Sequence, residues 1–492
     1  MKIHPMFRIK TFSQLVSEAD DSEKGLHRTL TSRGLIGLGI GAIIGAGLFS
    51  LTGIAAAENA GPAVTISFLI AAVGCGFAGL CYAEFAAMIP IAGSAYTYAY
   101  ATMGELLAWI IGWDLVLEYA LGAATVSVSW SRYLAEFLLK HNINPPLEFF
   151  CSPWEKLSLL NNTIIVDGGI INLPAILIIF VLSYVLMRGT KESARMNSLL
   201  VILKVAVVLV FIAVGFGYTD AANYTPYIPE NTGVIGEFGW SGILRGAAVV
   251  FFAFIGFDAV STAAQEAKQP QKSMPIGILG SLAICTVLYI LFAHVLTGLV
   301  NYKDFIGDAK PVATAIGKTP YAWLQDTIII AILAGYTSVM LVMLMGQSRV
   351  FFSMSRDGLL PSVFSKIHPK FRTPWVTNLF FAGFVSLFSG FVPVSDLGHM
   401  VSIGTLFAFV LVCIGILVLR KTQPNLPRPF KTPWLPWVPI LGIVVCMFMM
   451  LSLPGETWIR LAVWMGLGMA VYFGYGIKNS QMQKRSQDKL VD

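Results

Sequence analysis

From Ser273 to Tyr302 the chain carries no Asp, Glu, Lys or Arg. A run of that kind suits a bilayer, because about 20 apolar residues in a helix cross the hydrocarbon core with every backbone group satisfied internally. Comparable runs recur throughout, beginning near residues 34, 62, 104, 169, 196, 242, 276, 323, 374, 398, 435 and 457. The third is over-long and extends to about 133. Of the 492 residues 56% are hydrophobic and 12% charged, against roughly 25% charged in soluble domains. A soluble fold of this composition could not cover its own surface, so the chain reads as one all-α polytopic membrane domain with twelve spans.

The formal charge of +6 does not point to nucleic acid, since no basic cluster is interleaved with aromatics in a polar context. Its placement fits membrane orientation instead. With an even number of spans both termini share a side, and that side collects 24 of the 33 Lys and Arg against 6 on the other. The bias predicts cytoplasmic termini in a cell membrane. It also suggests a partition into an N-terminal arm (1–33), a ten-helix core (34–420), two accessory spans (421–478) and a tail (479–492). The N-terminus shows no signal-peptide pattern. The six cysteines are scattered and form no CxxC or metal-ligand spacing, so they read as buried, inert thiols, and Cys151, in a polar loop, has no obvious disulfide partner.

The stretch GIGAIIGAGLF (39–49) is dense in glycine within the first span. A phosphate loop would need a preceding strand and a soluble βαβ unit, and both are missing. Gly41 and Gly45 form a GxxxG pair suited to close helix packing. The whole set of glycines, each costing about 1 kcal/mol of helix stability relative to Ala, fits a helix that breaks inside the membrane. Five spans later AAVVFFAFIGFDAVS (247–261) is interrupted at Gly256 and Asp258. Matching interruptions point to an inverted repeat of five plus five spans, with spans 1 and 6 discontinuous and the binding site at the breaks. Half-helix N-termini there would offer N–H groups to a carboxylate.

Charges inside spans single out further residues. Lys204 lies nine residues beyond Arg195, about 13 Å into the bilayer, where a lysine costs about 2.5–3.5 kcal/mol on insertion scales. It is a candidate for gaining and losing a proton. Asp258 can cap a second half-helix or handle protons. Asp114 and Glu118 are i, i+4 on the third span, with room for one of them at the interface and Glu118 the deeper. Glu84 reads as structural and His294 as a packed histidine. Met340 and Met343 share a face of the eighth span, and such stripes are usually core filler.

Four ordered stretches, GIGAIIGAGLFSLTG (39–53), YAEFAAMIPIAGSAYTYAY (82–100), FFAFIGFDAVSTAAQEAKQPQKSMPIGI (251–278) and QSRVFFSMSRDGLLP (347–361), resemble the amino acid–polyamine–organocation superfamily. The fifth-span lysine and the span count are similar to its bacterial cationic amino acid transporter branch. The resemblance implies a LeuT-type fold with two additional C-terminal helices, and secondary transport of amino acids. It would place substrate contacts at Ile43, Ile44, Gly45, Ala46 and Gly47, whose N–H groups would hold the carboxylate. Phe252, Ala253 and Ile255 would offer carbonyls to the ammonium. Lys204 matches the lysine that replaces a sodium site in proton-coupled members. Glu118 and Asp258 match proton-handling positions, and Met340 a position that sets pocket size. Relatives usually carry Thr or Ser where this chain has Ala46, so a hydroxyl near the carboxylate is missing. The bulky Met340 is similar to members that favour neutral substrates.

The expected activity is therefore proton-coupled symport of amino acids by alternating access. An amino acid/amine antiporter on the same fold and a non-transporting amino acid sensor are the rivals. No enzymatic nucleophile, metal cluster or cofactor motif stands out, and the proton is the expected coupling ion. The expected partners are the amino acid, the lipid bilayer and, as a candidate, a small single-span membrane protein.

Overall fold

In the computed structural model the described residues are 8–10, 30–89, 94–159, 164–189, 193–258, 260–261, 264, 267–308 and 310–484. Most of the expected arm 1–33, residues 485–492 of the tail and residues 90–93 of the second motif lie outside them.

The chain is mostly helical. Thr31 starts α1 (Ser32–Ile43), its hydroxyl accepting from the N–H of Gly34. A helical stretch from Gly47 leads through a turn at Gly61 into α2 (Val64–Met88), followed by α3 (Ser94–Thr102). Helix α4 (Glu105–Val116) runs through a π-helical turn, Leu117–Leu121, directly into α5 (Gly122–Lys140). A ribbon of β1 (Lys156–Leu159) and antiparallel β2 (Ile164–Asp167) precedes α6 (Leu173–Arg188) and α7 (Ser193–Phe216). Next come α8 (Gly239–Val250), α9 (Pro270–Leu299), the short α10 (Pro311–Ile316) and α11 (Ala322–Arg356). The chain continues as α12 (Trp375–Phe391), α13 (Val394–Thr422), α14 (Trp437–Ser452) and α15 (Gly455–Val471).

Local chemistry sets many of these boundaries. Asn172 caps α6 by accepting from the N–H of Ala175, and Pro374, Pro393, Pro436 and Pro454 each stand immediately before a helix. Proline is pre-set for a helix start and cannot continue one from behind. Among the described residues seven helical segments are long and apolar enough to cross a membrane, and five further apolar helices are shorter. With 35 residues, α11 is about 52 Å long, so it projects beyond a hydrocarbon core of about 30 Å.

Helices α1 and α2 both pack on α9, while α11 lies against α5 and α7. Their interiors are filled by aromatic rings. Tyr289 of α9 lies between Phe68 and Phe254, with centroids at 5.6 and 5.2 Å, and Tyr82, Phe257 and Phe409 form a second cluster. Buried ion pairs hold the two ends. At one end Glu84 of α2 accepts two bonds from Arg420 at 2.8 and 2.9 Å and a third from the N–H of Thr432, with Arg428 at 3.3 Å. At the other, Arg132 pairs with Glu155, and Lys310 lies between Glu136 and Asp308.

Three features differ from the sequence expectations. Helices α3 and α10 and the β-ribbon lie between the expected spans; all are too short or too hydroxylated to register as apolar runs. Both Asp114 and Glu118 are only 1% exposed, so each lies inside the helix bundle and neither is on its surface. No α-helix follows Gly256 among the described residues up to Ala267. The N–H groups of Val260 and Ala267 bond three residues back, to Phe257 and Ala264. The carboxylate of Asp258 accepts a hydrogen bond from Tyr119.

Candidate functional site

The glycine-rich stretch stops being helical where a membrane helix would be expected to continue. The last regular bond of α1 runs from the N–H of Ile44 to Ile40, and Ile44 is extended, with ψ of 107°. The chain re-enters helix as a π-turn at Gly47–Leu51, with Gly45 O accepting from the N–H groups of both Leu48 and Phe49. Ala46 and Gly47 thus stand where a helix leaves its first N–H groups without internal acceptors. In the second stretch α8 ends at Val250 and tightens into the 3-10 turn Phe251–Phe254. Ile255 is extended and Gly256 has φ of +111°, a conformation that glycine alone adopts at little cost.

The two breaks touch. A Cβ on Gly47 would run into the backbone of Ala253, and one on Gly256 would press on the carbonyl of Ala42. Each glycine makes room for the other segment's main chain. The hydroxyl of Tyr289 bridges them, reaching Ile43 O at 3.1 Å and Ala253 O at 2.9 Å. A phenol has one proton for these two acceptors, so carbonyl capacity is left over at both breaks.

Lys204 approaches from α7. Its ammonium donates to Gly41 O at 2.7 Å, its stem lies along Gly335 of α11, and it is 1% exposed. The GxxxG pair packs inside the molecule, Gly41 against Val201 and Gly45 against Val339. Met340 is fully buried on α11, beside Val339 and one turn from Tyr336, whose hydroxyl shares a 2.8 Å hydrogen bond with Ser50.

Two carboxylates lie beyond the second break. Asp258 Oδ2 accepts from Tyr119 at 2.5 Å, and Glu118, on the π-turn of the α4–α5 rod, faces Asp258, Asp114 and Thr405. Elsewhere, His294 stacks on Tyr224 with centroids 4.6 Å apart. The six cysteines are all buried and unbridged, and burial pushes the Cys151 thiol up from its ordinary value. Among the described residues no group of three His, Cys, Asp or Glu could hold a metal ion.

The residues singled out in the sequence therefore fall into connected groups. Ile43, Ile44, Gly45, Ala46 and Gly47 meet Phe252, Ala253 and Ile255; Lys204 joins the first break; Glu118 and Asp258 form a neighbouring pair; Met340 stands on the facing helix. Sequence reasoning missed Tyr289 and Val339. One hydroxyl or one valine in an apolar span carries no signal of what it touches.

A profile of the family described as Amino acid permease matches residues 30–472, nearly the whole chain. The chain belongs to that family, within the amino acid–polyamine–organocation superfamily. The permease is 46% identical to the Branched-chain amino acid permease BcaP of Bacillus subtilis, across 97% of this chain and 99% of that one. It is also 43% identical to the Methylthioribose transporter of the same organism, over 97% and 99%. Similarity extends to the chloroplastic Cationic amino acid transporter 9 of Arabidopsis thaliana, 37% identical over 86% of this chain and 73% of the relative. These relatives are named as permeases and transporters, not as enzymes. The membrane transporter class expected from the sequence is thereby established.

Proposed function

We propose that this permease is a proton-coupled symporter of neutral amino acids, working by alternating access in the cell membrane with both termini in the cytoplasm. The observation that carries the reading is the contact between two broken segments, with a buried lysine on the first. The N–H groups at Gly45, Ala46 and Gly47 suit a substrate carboxylate, and those of Ile43 and Ile44 flank them. Carbonyls of Phe252, Ala253 and Ile255 suit its ammonium. Without a hydroxyl at Ala46, the carboxylate would rely on backbone donors.

The seven long and five shorter apolar helices support a twelve-span reading. In it α1 and α8 begin two inverted five-span repeats within 34–420, and α14 and α15 are the accessory pair of 421–478. Lys204 stands where a charge can fasten or release the first broken helix. Glu118 and Asp258 form the route on which the coupling proton is held, with no cofactor needed.

Val339 and Met340 give the wall opposite the first break an apolar character, which suits a branched aliphatic side chain. The names of the permeases similar to this chain support that substrate class. A second substrate reading comes from the 43% identical relative, whose name makes an uncharged thiosugar a specific alternative.

Purified permease in proteoliposomes tests both readings. An imposed pH gradient of one unit, acid outside, supports about tenfold accumulation for one proton per substrate. The twenty amino acids and methylthioribose are compared at two pH values. Accumulation of valine, leucine or isoleucine driven by the gradient is the expected result. Exchange that ignores the gradient would identify an antiporter, and binding without flux a sensor.

A further inference from the structure

Most buried acids in this molecule have donors. Glu84 has two arginines, Glu105 a group of hydroxyls, Glu136 and Asp308 share Lys310, Glu155 has Arg132, Asp258 has Tyr119, and Asp357 has Lys10. Glu118 has one oxygen without a partner, and among the described residues Asp114 is the acid with both oxygens unpartnered. It is 1% exposed, and neither carboxylate oxygen has a hydrogen-bond partner among the described residues. A buried polar group without a partner is costly, and such exceptions concentrate at functional positions.

The surroundings of Asp114 fix its place. It lies nine residues past Glu105, the first residue of α4, which is about 13 Å along the helix. One turn further is Glu118, on the widened turn at Leu117–Leu121. Single π-turns of this kind are frequent at functional sites. From α13 the neighbours are Gly404, where a Cβ would come within 3.1 Å of the Asp114 carboxylate, and Thr405 beside Glu118. From the second break come Asp258 and Tyr119's hydroxyl contact to it, and Tyr82 and Tyr98 lie around the same acids. On the α3 side Tyr96 packs against Gly112, its hydroxyl held by Asp357. No Lys, Arg or His is paired with Asp114 among the described residues.

A second, independent feature points to the same spot. On α11, Met343 packs over Gly122 and Met354 over Gly112. Between those contacts along α11 lies Gln347. Gln347 is fully buried, and neither its amide nitrogen nor its amide oxygen has a partner among the described residues. A buried, unpartnered amide able to both donate and accept thus lies on the helix packed against the rod that carries the two acids.

We propose that Asp114 is a second proton-carrying residue, passing the coupling proton between Glu118 and the Glu105 end of the helix. The inference rests on the proton-symport reading above. The step is a plain exchange: the carboxylic acid of Glu118 becomes a carboxylate as the carboxylate of Asp114 becomes an acid, which then releases its proton to water at the Glu105 end. Release to water requires this end of the helix to open, because Asp114 is buried among the packed helices.

Proteoliposomes containing wild type, D114N and D114E permease are compared with radiolabelled L-valine. Two modes are measured in the same vesicles: accumulation driven by a pH gradient, and L-valine counterflow without one. Loss of proton coupling removes about tenfold of accumulation per imposed pH unit. D114N is expected to lose that accumulation while keeping counterflow, and D114E to restore it. D114N that accumulates L-valine like wild type overturns the inference. So does D114N that loses both modes alike, because the role of Asp114 is then structural. A wild type that ignores the gradient would instead remove the symport reading, so the two failures are separable.

Discussion

The ammonium of Lys204 donates to the carbonyl oxygen of Gly41 across 2.7 Å, fastening α7 to the last turn of α1. Gly41 stands three residues before the break at Ile44, so whatever loosens the lysine also frees the end of the helix that carries half of the candidate site. Lys204→Met keeps the stem and removes the charge-assisted bond, worth about 1.5–3 kcal/mol. Uptake driven by a pH gradient should fall to background in vesicles. Unchanged accumulation would remove Lys204 from the coupling machinery.

The contact between Gly47 and Ala253 leaves no volume for a side chain. Gly47→Ala forces the two breaks apart, and overpacking of this kind costs about 1–3 kcal/mol. Both a lower melting temperature and a loss of uptake are expected. Retention of full uptake would mean that the segments need not touch during transport.

Met340 lies beside Val339 on the helix that faces the first break. Met340→Ser shortens the side chain and should admit bulkier or cationic substrates. Competition by arginine and phenylalanine against labelled L-valine reads this directly. An inhibition profile identical to wild type would make Met340 core filler.

Glu84 is completely buried, with Arg420 and Arg428 beside its carboxylate. Removing one partner of a buried ion pair costs about 3–5 kcal/mol, because the remaining charges lose their compensation. Glu84→Ala should therefore lower the melting temperature of the detergent-purified protein sharply, with substrate selectivity unchanged in whatever fraction stays folded.

How much of this was visible beforehand depends on the range of the interaction. Apolar runs and prolines are local, so the helices from α1 to α15 largely follow from them, while α3, with six hydroxyls in nine residues, does not. The breaks at Ile44 and Ile255 were legible because glycine clusters advertise a backbone irregularity wherever they occur. Lys204 was legible because a charge in an apolar run is costly. The partner of each residue was not. That Gly47 meets Ala253, or that one tyrosine reaches both Ile43 and Ala253, depends on helices far apart in the chain. The seating of Met343 over Gly122 and of Met354 over Gly112 is likewise a product of packing between rods. The bond from Tyr119 to Asp258 is of the same kind, a contact between segments far apart in the chain.

Glu105 accepts hydrogen bonds from Tyr100, Tyr472, Ser480 and Gln483, while Gln481, next to Ser480, donates its N–H to the backbone carbonyl of Asp357, whose side chain holds Lys10. Stretches near the beginning and the end of the polypeptide are thus stitched into one knot. Trimming the chain at Asn479 would not tidy a loose thread; it would unpick the seam and leave a buried carboxylate short of donors. A purification tag belongs beyond Gln483, added to the native chain rather than substituted for part of it.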